Sequence, residues 1–299
     1  MTVLLRILCR LVLVLNYVAY IFFTFIQISI MDEEVHMLPE IMTSVTKMLA
    51  KLFLDHNMPE SHGLNHSKTV LAHMEKTLSG SEGPVTALLT PGKKLSLRLA
   101  ALLHEADDHK YFPDNDKFQN AKRICRESIS SCVSDRERII SDVILMISLV
   151  SASVNGNSVP EAARSDPTLL WPRWCDRLES IGVIGAVRCY QYAREKGTEP
   201  LMLDSSPRPR SEEEVWQYVT EDRWTHYQSS GGQSASMIDH YYDKLLHVAN
   251  FAPEVVQSSY LVGEARRRVA PLVEVCVEAG ISGQAPVQSL DKLEKSLMI

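Results

Sequence analysis

The sequence predicts an all-α protein, a multi-helix bundle whose core lies between residues 33 and 280. Three observations carry the helical part of that reading. Apolar residues recur at helical spacing through most of the chain, as at Met37, Leu38, Ile41, Val45, Met48, Leu49, Leu52 and Phe53. No run of alternating apolar and polar residues bounded by turn signals reads as a strand. The dense apolar run of Leu95–Leu103 (Leu95, Leu97, Leu99, Ala100, Leu102, Leu103) has the character of a buried helix. At 299 residues, 45% hydrophobic and 23% charged, the chain is long enough to bury a sizeable core.

Net charge is −6, and the only charges in the first thirty residues are Arg6 and Arg10. The remainder is therefore more acidic still, which argues against a nucleic-acid polymer as partner, since such proteins present a basic face. A local cationic pocket for one small anion stays open. Cysteines 9, 125, 132, 175, 189 and 276 form no CxxC pair and read as buried thiols in a reducing compartment.

Residues 1–30 form a hydrophobic N-terminal segment. From Leu11 to Ile30 no charge occurs, and twenty apolar residues suffice to span a bilayer. Arg6 and Arg10 before the span and Asp32, Glu33 and Glu34 after it favour an N-inside orientation. That orientation conflicts with a thiol-bearing, disulfide-free domain on the far side. Localisation has two alternatives: a single-pass anchor if translation starts at Met1, a cytoplasmic protein if Met31 is the working start.

An amphipathic helix is expected over 33–55. The turn-rich segment 59–66 then enters a second helix, with Asn65 as a candidate N-cap and His66 in its first turn. Ser79–Pro91 reads as a loop. After Leu103 polarity arrives at once, in His104, Glu105, Asp107, Asp108, His109 and Lys110. On a helix Asp107 and Asp108 share a face with His104. A divalent cation would compensate so many titratable groups at the end of an apolar helix, and the alternative is a helix C-terminus running into a solvated loop.

Helices are expected over 114–131 and 134–150, followed by a loop over 151–160. Asp176 and Glu179 stand in the otherwise apolar segment from Leu169 to Tyr190, and a buried acid must meet a cation. For Asp176 that partner is a metal or a nearby arginine, Arg177 or Arg188. The stretch 197–236 reads as a long, mostly irregular loop with a short helix near 211–224, where Ser211 and Glu214 have capping-box spacing. Helices over 237–248 and 253–279 follow, and 281–299 is expected to be a mobile tail.

In sequence order these pieces present His66, then His104-Glu105, then Asp176, each on or beside an apolar helix. The segments HGLNHSKTV (62–70), LAALLHEADDHKYF (99–112), CDRLESIGVIGAVRCY (175–190) and SMIDHYYDKLL (236–246) resemble corresponding segments of HD-domain phosphohydrolase-like proteins. That superfamily is named for adjacent His and Asp metal ligands in a pattern H…HD…D. The resemblance covers roughly residues 35–280. It implies one divalent metal ion (manganese, magnesium, zinc, iron, cobalt or nickel) held by His66, His104, Asp176 and position 105. The chain departs from the pattern there, with Glu105 in place of Asp. The extra methylene shifts the carboxylate, and Asp107 is the alternative donor.

The resemblance further implies hydrolysis of a phosphate ester or anhydride in a nucleotide or related small molecule. Asp108, one turn after His104, is the candidate to orient or deprotonate water. Lys110, Arg177 and Lys244 are the candidates to offset substrate charge. His109 follows the doublet too closely to fit a dinuclear oxygenase arrangement. The second functional expectation is a membrane-anchored HD-fold protein that binds a ligand or partner, its catalysis weakened by Glu105.

Overall fold

A computed structural model of the chain describes residues 37–80, 88–115, 117–131, 133, 135–197 and 200–297. The expected membrane segment, residues 1–30, lies outside the described residues. Among these no helix is long and apolar enough to cross a membrane. All regular structure in them is helical: α1 (37–55), α2 (Leu64–Ser79), α3 (Pro91–Leu103), α4 (Gln119–Ser128), α5 (Arg136–Ser148), α6 (Trp171–Leu178), α7 (Val183–Lys196), α8 (Glu212–Gln217), α9 (Glu221–Ser229), α10 (237–249), α11 (Ser259–Ser282) and α12 (Val287–Ser296), with a few single helical turns between them.

Helix α3 is the hub. Pro91 opens it and the Thr90 hydroxyl accepts from the Lys93 amide, so one unpaired N–H of the first turn is satisfied. Leu97, Leu99, Leu102 and Leu103 are completely enclosed, because α2, α5 and α6 pack round it on different sides. Each such leucine stabilises the fold by roughly 1.5–3 kcal/mol. The hub therefore presents its C-terminal end, where the polar run begins, to a fixed framework.

Helix α6 carries two buried arginines that form no salt bridge among the described residues. Arg173 donates through Nε to Leu149 O at 2.6 Å and through Nη1 to Ser158 O at 2.8 Å. Arg177 donates to Asn157 Oδ1 at 2.5 Å and to Gly156 O, and its guanidinium lies 4.8 Å from the Trp174 ring. Both are buried, and burial pushes Arg173 down to about 10 and Arg177 down to about 9. Together they lock the 149–158 segment to α6.

Several boundaries differ from expectation. Helix α2 starts at Leu64, with Gly63 at the N-cap; Asn65 lies in the first turn and donates to Glu60 instead of capping. The Pro59-led 3₁₀ turn Glu60–His62 takes up the chain before Gly63, and the helix starts two residues earlier than expected. The helix expected over 253–279 is interrupted: a turn at Pro253–Val256 ends at Gln257 in the left-handed region (φ 48°), and Ser258 recaps α11 by accepting from the Leu261 amide.

The stretch 197–236 is less irregular than expected. It contains α8, capped by Ser211, and α9, capped by Thr220. Arg223 of α9 bridges Asp239 (2.8 Å) and Asp243 (2.7 Å) of α10, whose middle turn, Tyr241–Leu245, is π-helical. Pro209 packs so closely on α11 that a Cβ at Gly280 would lie 2.1 Å from its carbonyl oxygen, so only glycine fits.

The expected mobile tail, 281–299, also differs. It contains α12, which buries Leu290 and packs on α7. Tyr190 donates to Asp291 at 2.9 Å, Gln191 to Glu294 at 2.8 Å, and Arg194 pairs with Glu294 at 3.0 Å. An isolated ten-residue helix is marginal in water; these side chains on α7 supply the partner that holds it.

Candidate metal centre

Three helices and the turn after α3 bring four donors to one point. His66 leaves the first turns of α2, His104 caps the C-terminal end of α3, Glu105 follows it, and Asp176 leaves α6. One ligand-capable atom from each lies within 4.8 Å of the others. His66 Nε2 is 3.1 Å from His104 Nε2 and 3.2 Å from Asp176 Oδ1; His104 Nε2 is 3.4 Å from Asp176 Oδ1. Glu105 Oε1 stands 3.6 Å from His66 Nε2 and 3.7 Å from His104 Nε2. Adjacent ligands about 2.0–2.2 Å from a metal are roughly 3.0–3.5 Å apart, so the spacing is close to that of a coordination shell.

The donor chemistry fits as well. His104 Nδ1 lies 2.9 Å from Ala101 O, which can only accept, so Nδ1 carries the proton and Nε2 turns a lone pair toward the cluster. Two imidazoles and two carboxylates suit hard and borderline divalent cations. With protons as the sole positive charge, the groups are strongly coupled. Burial alone would lower His104, but hydrogen bonding and charge from Asp176, joined by Glu105, raise it to about 9. Burial would raise Asp176, yet His104 and His66 hold its carboxyl far below the usual range.

The structure separates the acids of the polar run. Helix α3 stops at Leu103, so Asp107 and Asp108 do not continue on the face of His104. Asp107 accepts from the Asn120 and Ala121 amides, each at 2.9 Å, and from Asn115 Nδ2. It is the N-terminal anion of α4, supplied from outside that helix, and is not a member of the four-donor cluster. Burial raises its pKa despite those bonds. Lys117 (φ 60°) and Phe118 (φ 58°) enter α4 through the left-handed region, so local sequence gives that helix no ordinary cap. Asp108 lies beside the centre: its carboxylate, the Glu105 carboxylate and the His62 imidazole form a second close group that shares Glu105 with the first.

His62 was a missed neighbour of the site. Its Nδ1 lies 2.8 Å from Glu105 Oε1, and that hydrogen bond raises its pKa although burial opposes it. Gly63 between His62 and His66 hid the relation, because the two imidazoles converge across a turn and not along one helix face. The expected substrate cations scatter. Lys110 is exposed and acts electrostatically on His62. Arg177 is committed to the 156–157 backbone and side chain, and Lys244 sits half-buried on the π-helical turn, where its charge adds to the burial that lowers the His240 pKa.

No family model matches the chain. The uncharacterized protein L803 of Acanthamoeba polyphaga mimivirus is 34% identical over 245 residues, an alignment covering 78% of this chain and 94% of the viral one. The chain belongs to the family of that protein. A crystal structure of a Lactobacillus plantarum protein superposes with a TM-score of 0.45 and 18% identity, covering 81% of this chain and 96% of the other.

Proposed function

We propose that this protein is a metal-dependent phosphohydrolase of the HD superfamily, acting on a nucleotide or related small phosphate ester or anhydride. The observation that supports it is the convergence of His66 from α2, His104 and Glu105 from the end of α3 and Asp176 from α6, with one ligand-capable atom of each near one point. In this reading those four residues hold one divalent cation. The cation supplies Lewis-acid polarisation of a phosphoryl oxygen and a water of lowered pKa.

The chain's own residues do the rest. His104 is oriented through Nδ1 on Ala101 O, and His62 orients Glu105 through Oε1. Asp108 stands within the same group and is the acceptor for a proton from the attacking water; its Oδ1 also accepts from the Lys110 amide at 2.8 Å, which fixes its rotamer. Lys110, exposed beside His62, is the cation of the three that meets substrate phosphate; Arg177 and Lys244 act in the framework.

The test is metal content together with metal-stimulated phosphate or pyrophosphate release over a nucleotide panel, with His66→Ala and Asp176→Ala as controls. Stoichiometric metal and release abolished in both variants is the expected result. Metal without release in the natural protein, with release appearing in Glu105→Asp, favours the second reading, an HD-fold binding protein that Glu105 has turned from catalysis. A folded protein with neither metal nor release overturns both. If translation starts at Met1, residues 11–30 tether the domain to a membrane in either reading.

A further inference from the structure

A second concavity shares no residue with the four-donor centre. It is a cleft of about 620 Å³ between the middle of α7, the backbone at Pro200 and the 232–240 stretch that leads into α10. Two backbone bonds tie its sides together: the Met237 amide donates to Pro200 O and the Ile238 amide to Leu201 O, each at 3.0 Å. The Asp239 amide donates to the Ser236 hydroxyl at 3.1 Å. The first turn of α10 is therefore satisfied within the protein, and any donor offered to a ligand must come from elsewhere in the cleft.

Such donors are present. In a chain of net charge −6, no carboxylate among the described residues lines this cleft. Arg188 stands exposed on α7, and its guanidinium forms no ion pair or hydrogen bond among the described residues. Gly231 (φ 73°) and Gly232 (φ 81°) carry the backbone through the left-handed region. The three amides that follow, those of Gln233, Ser234 and Ala235, donate to no group among the described residues. Successive unbonded amides and a guanidinium in one concavity make an anion receptor. Burial, and then the charge of Lys244, push the His240 imidazole down to about 4, so it lines the cleft as a neutral ring. Arg188 is thus the one full charge on the walls. Tyr192, 55% exposed, and Pro200 add apolar surface.

We propose that this cleft binds a small organic anion, its phosphate or carboxylate head group held by Arg188 and the 233–235 amides and its flat apolar body resting on Tyr192. The volume suits such a ligand, since small-molecule pockets run from roughly 300 to 1,000 Å³. A bare inorganic anion would fill a small part of it and leave the tyrosine ring in water. The site neither needs a metal nor supplies a donor to one, so it stands or falls apart from the metal reading.

The experiment is calorimetric titration of the full chain, with chelator present so that no metal-bound phosphate contributes. The probes are phenylphosphonate, benzoate, inorganic phosphate and uncharged benzyl alcohol, and backbone amide spectra locate each one. One phenylphosphonate or benzoate per chain is expected, tighter than inorganic phosphate or benzyl alcohol, with shifts at the 233–235 amides; the better of the two identifies the head group. Arg188→Gln should weaken it by about tenfold or more. Tyr192→Ala should weaken it by about threefold and leave inorganic phosphate unmoved. No binding of either ring-bearing anion overturns the proposal, as does equal affinity in Arg188→Gln or a set of shifts elsewhere in the chain. Benzyl alcohol binding as tightly overturns the anion receptor, and inorganic phosphate binding as tightly overturns the apolar contact. The spectra are read on the natural protein, so a variant that fails to fold leaves the proposal falsifiable.

Discussion

Two clusters on the same helices use similar residue types for opposite ends. His66 and His73 lie seven residues apart on α2; Asp176 and Glu179 lie three apart at the end of α6. In the second cluster His73 Nε2 meets Glu179 Oε1 at 2.9 Å, and Arg268 of α11 reaches Glu179 at 2.8 Å and Glu264 at 2.8 Å. His73 Nδ1 meets the Tyr260 hydroxyl at 2.6 Å. Gly182, at φ 81°, lets the chain after Glu179 approach so closely that a Cβ there would lie 2.2 Å from Arg268 O. Every carboxylate in that cluster has a guanidinium. Around His66 and Asp176 the second charged group is another carboxylate, and the ligand-capable atoms converge on one point. A histidine beside an acid becomes structural when an arginine completes it and ligand-like when none arrives.

The comparison breaks if the clusters exchange behaviour on mutation. The largest effect is expected from His104→Ala or Asp176→Ala: metal affinity and any phosphate release should fall by more than about 10²-fold, beyond the range for a supporting residue. Calorimetry and activity assay check it, and retention of tight metal would sink the distinction.

Arg268→Ala should do the converse. Glu179 and Glu264 lose their shared cation, and the cost is about 2–3 kcal/mol, below the value for a fully buried pair because Arg268 and Glu179 are about one-fifth exposed. Denaturant unfolding reads that loss, while metal stoichiometry should not move. Asp107→Ala separates the acids within the polar run itself. It removes the anion at the start of α4 and should cost about 1–2 kcal/mol with the metal retained; loss of metal would place Asp107 among the ligands after all.

The smallest effect is a pH slope. Glu264 is held at about 2 by hydrogen bonds from Arg267 and then Arg268, and Glu179 is lowered by His73 and then Arg268. A depressed folded-state pKa means that their contribution is complete above the ordinary value near 4.5 and is lost as pH falls toward 2. Thermal unfolding between pH 5 and pH 2.5 should show a shallower acid decline in Glu264→Gln than in the natural chain. Equal slopes would remove the Arg267–Glu264–Arg268 group from the acid stability of the fold.

Residue types and local pattern determined the helical class and the hub helix, because apolar period is a property of nearby sequence. The cost of stranded charge drew attention to the polar run after Leu103 and to Asp176, but His66, His104, Glu105 and Asp176 were joined into one set only by the resemblance to HD-domain segments. What nearby sequence did not determine was the partner of each charged group. Asp107 and Asp108 are adjacent, yet one caps α4 and the other faces His62. Arg177 and Arg268 are both arginines beside α6, yet one holds backbone carbonyls and the other completes a carboxylate pair. The 281–299 segment found in α7 a packing face that its own ten-residue helix lacked. Those choices were left to the tertiary structure, for a physical reason: electrostatic and hydrogen-bond pairing acts over a few ångströms of space, and the partners stand tens to nearly two hundred residues apart along the chain, as His73 and Arg268 do.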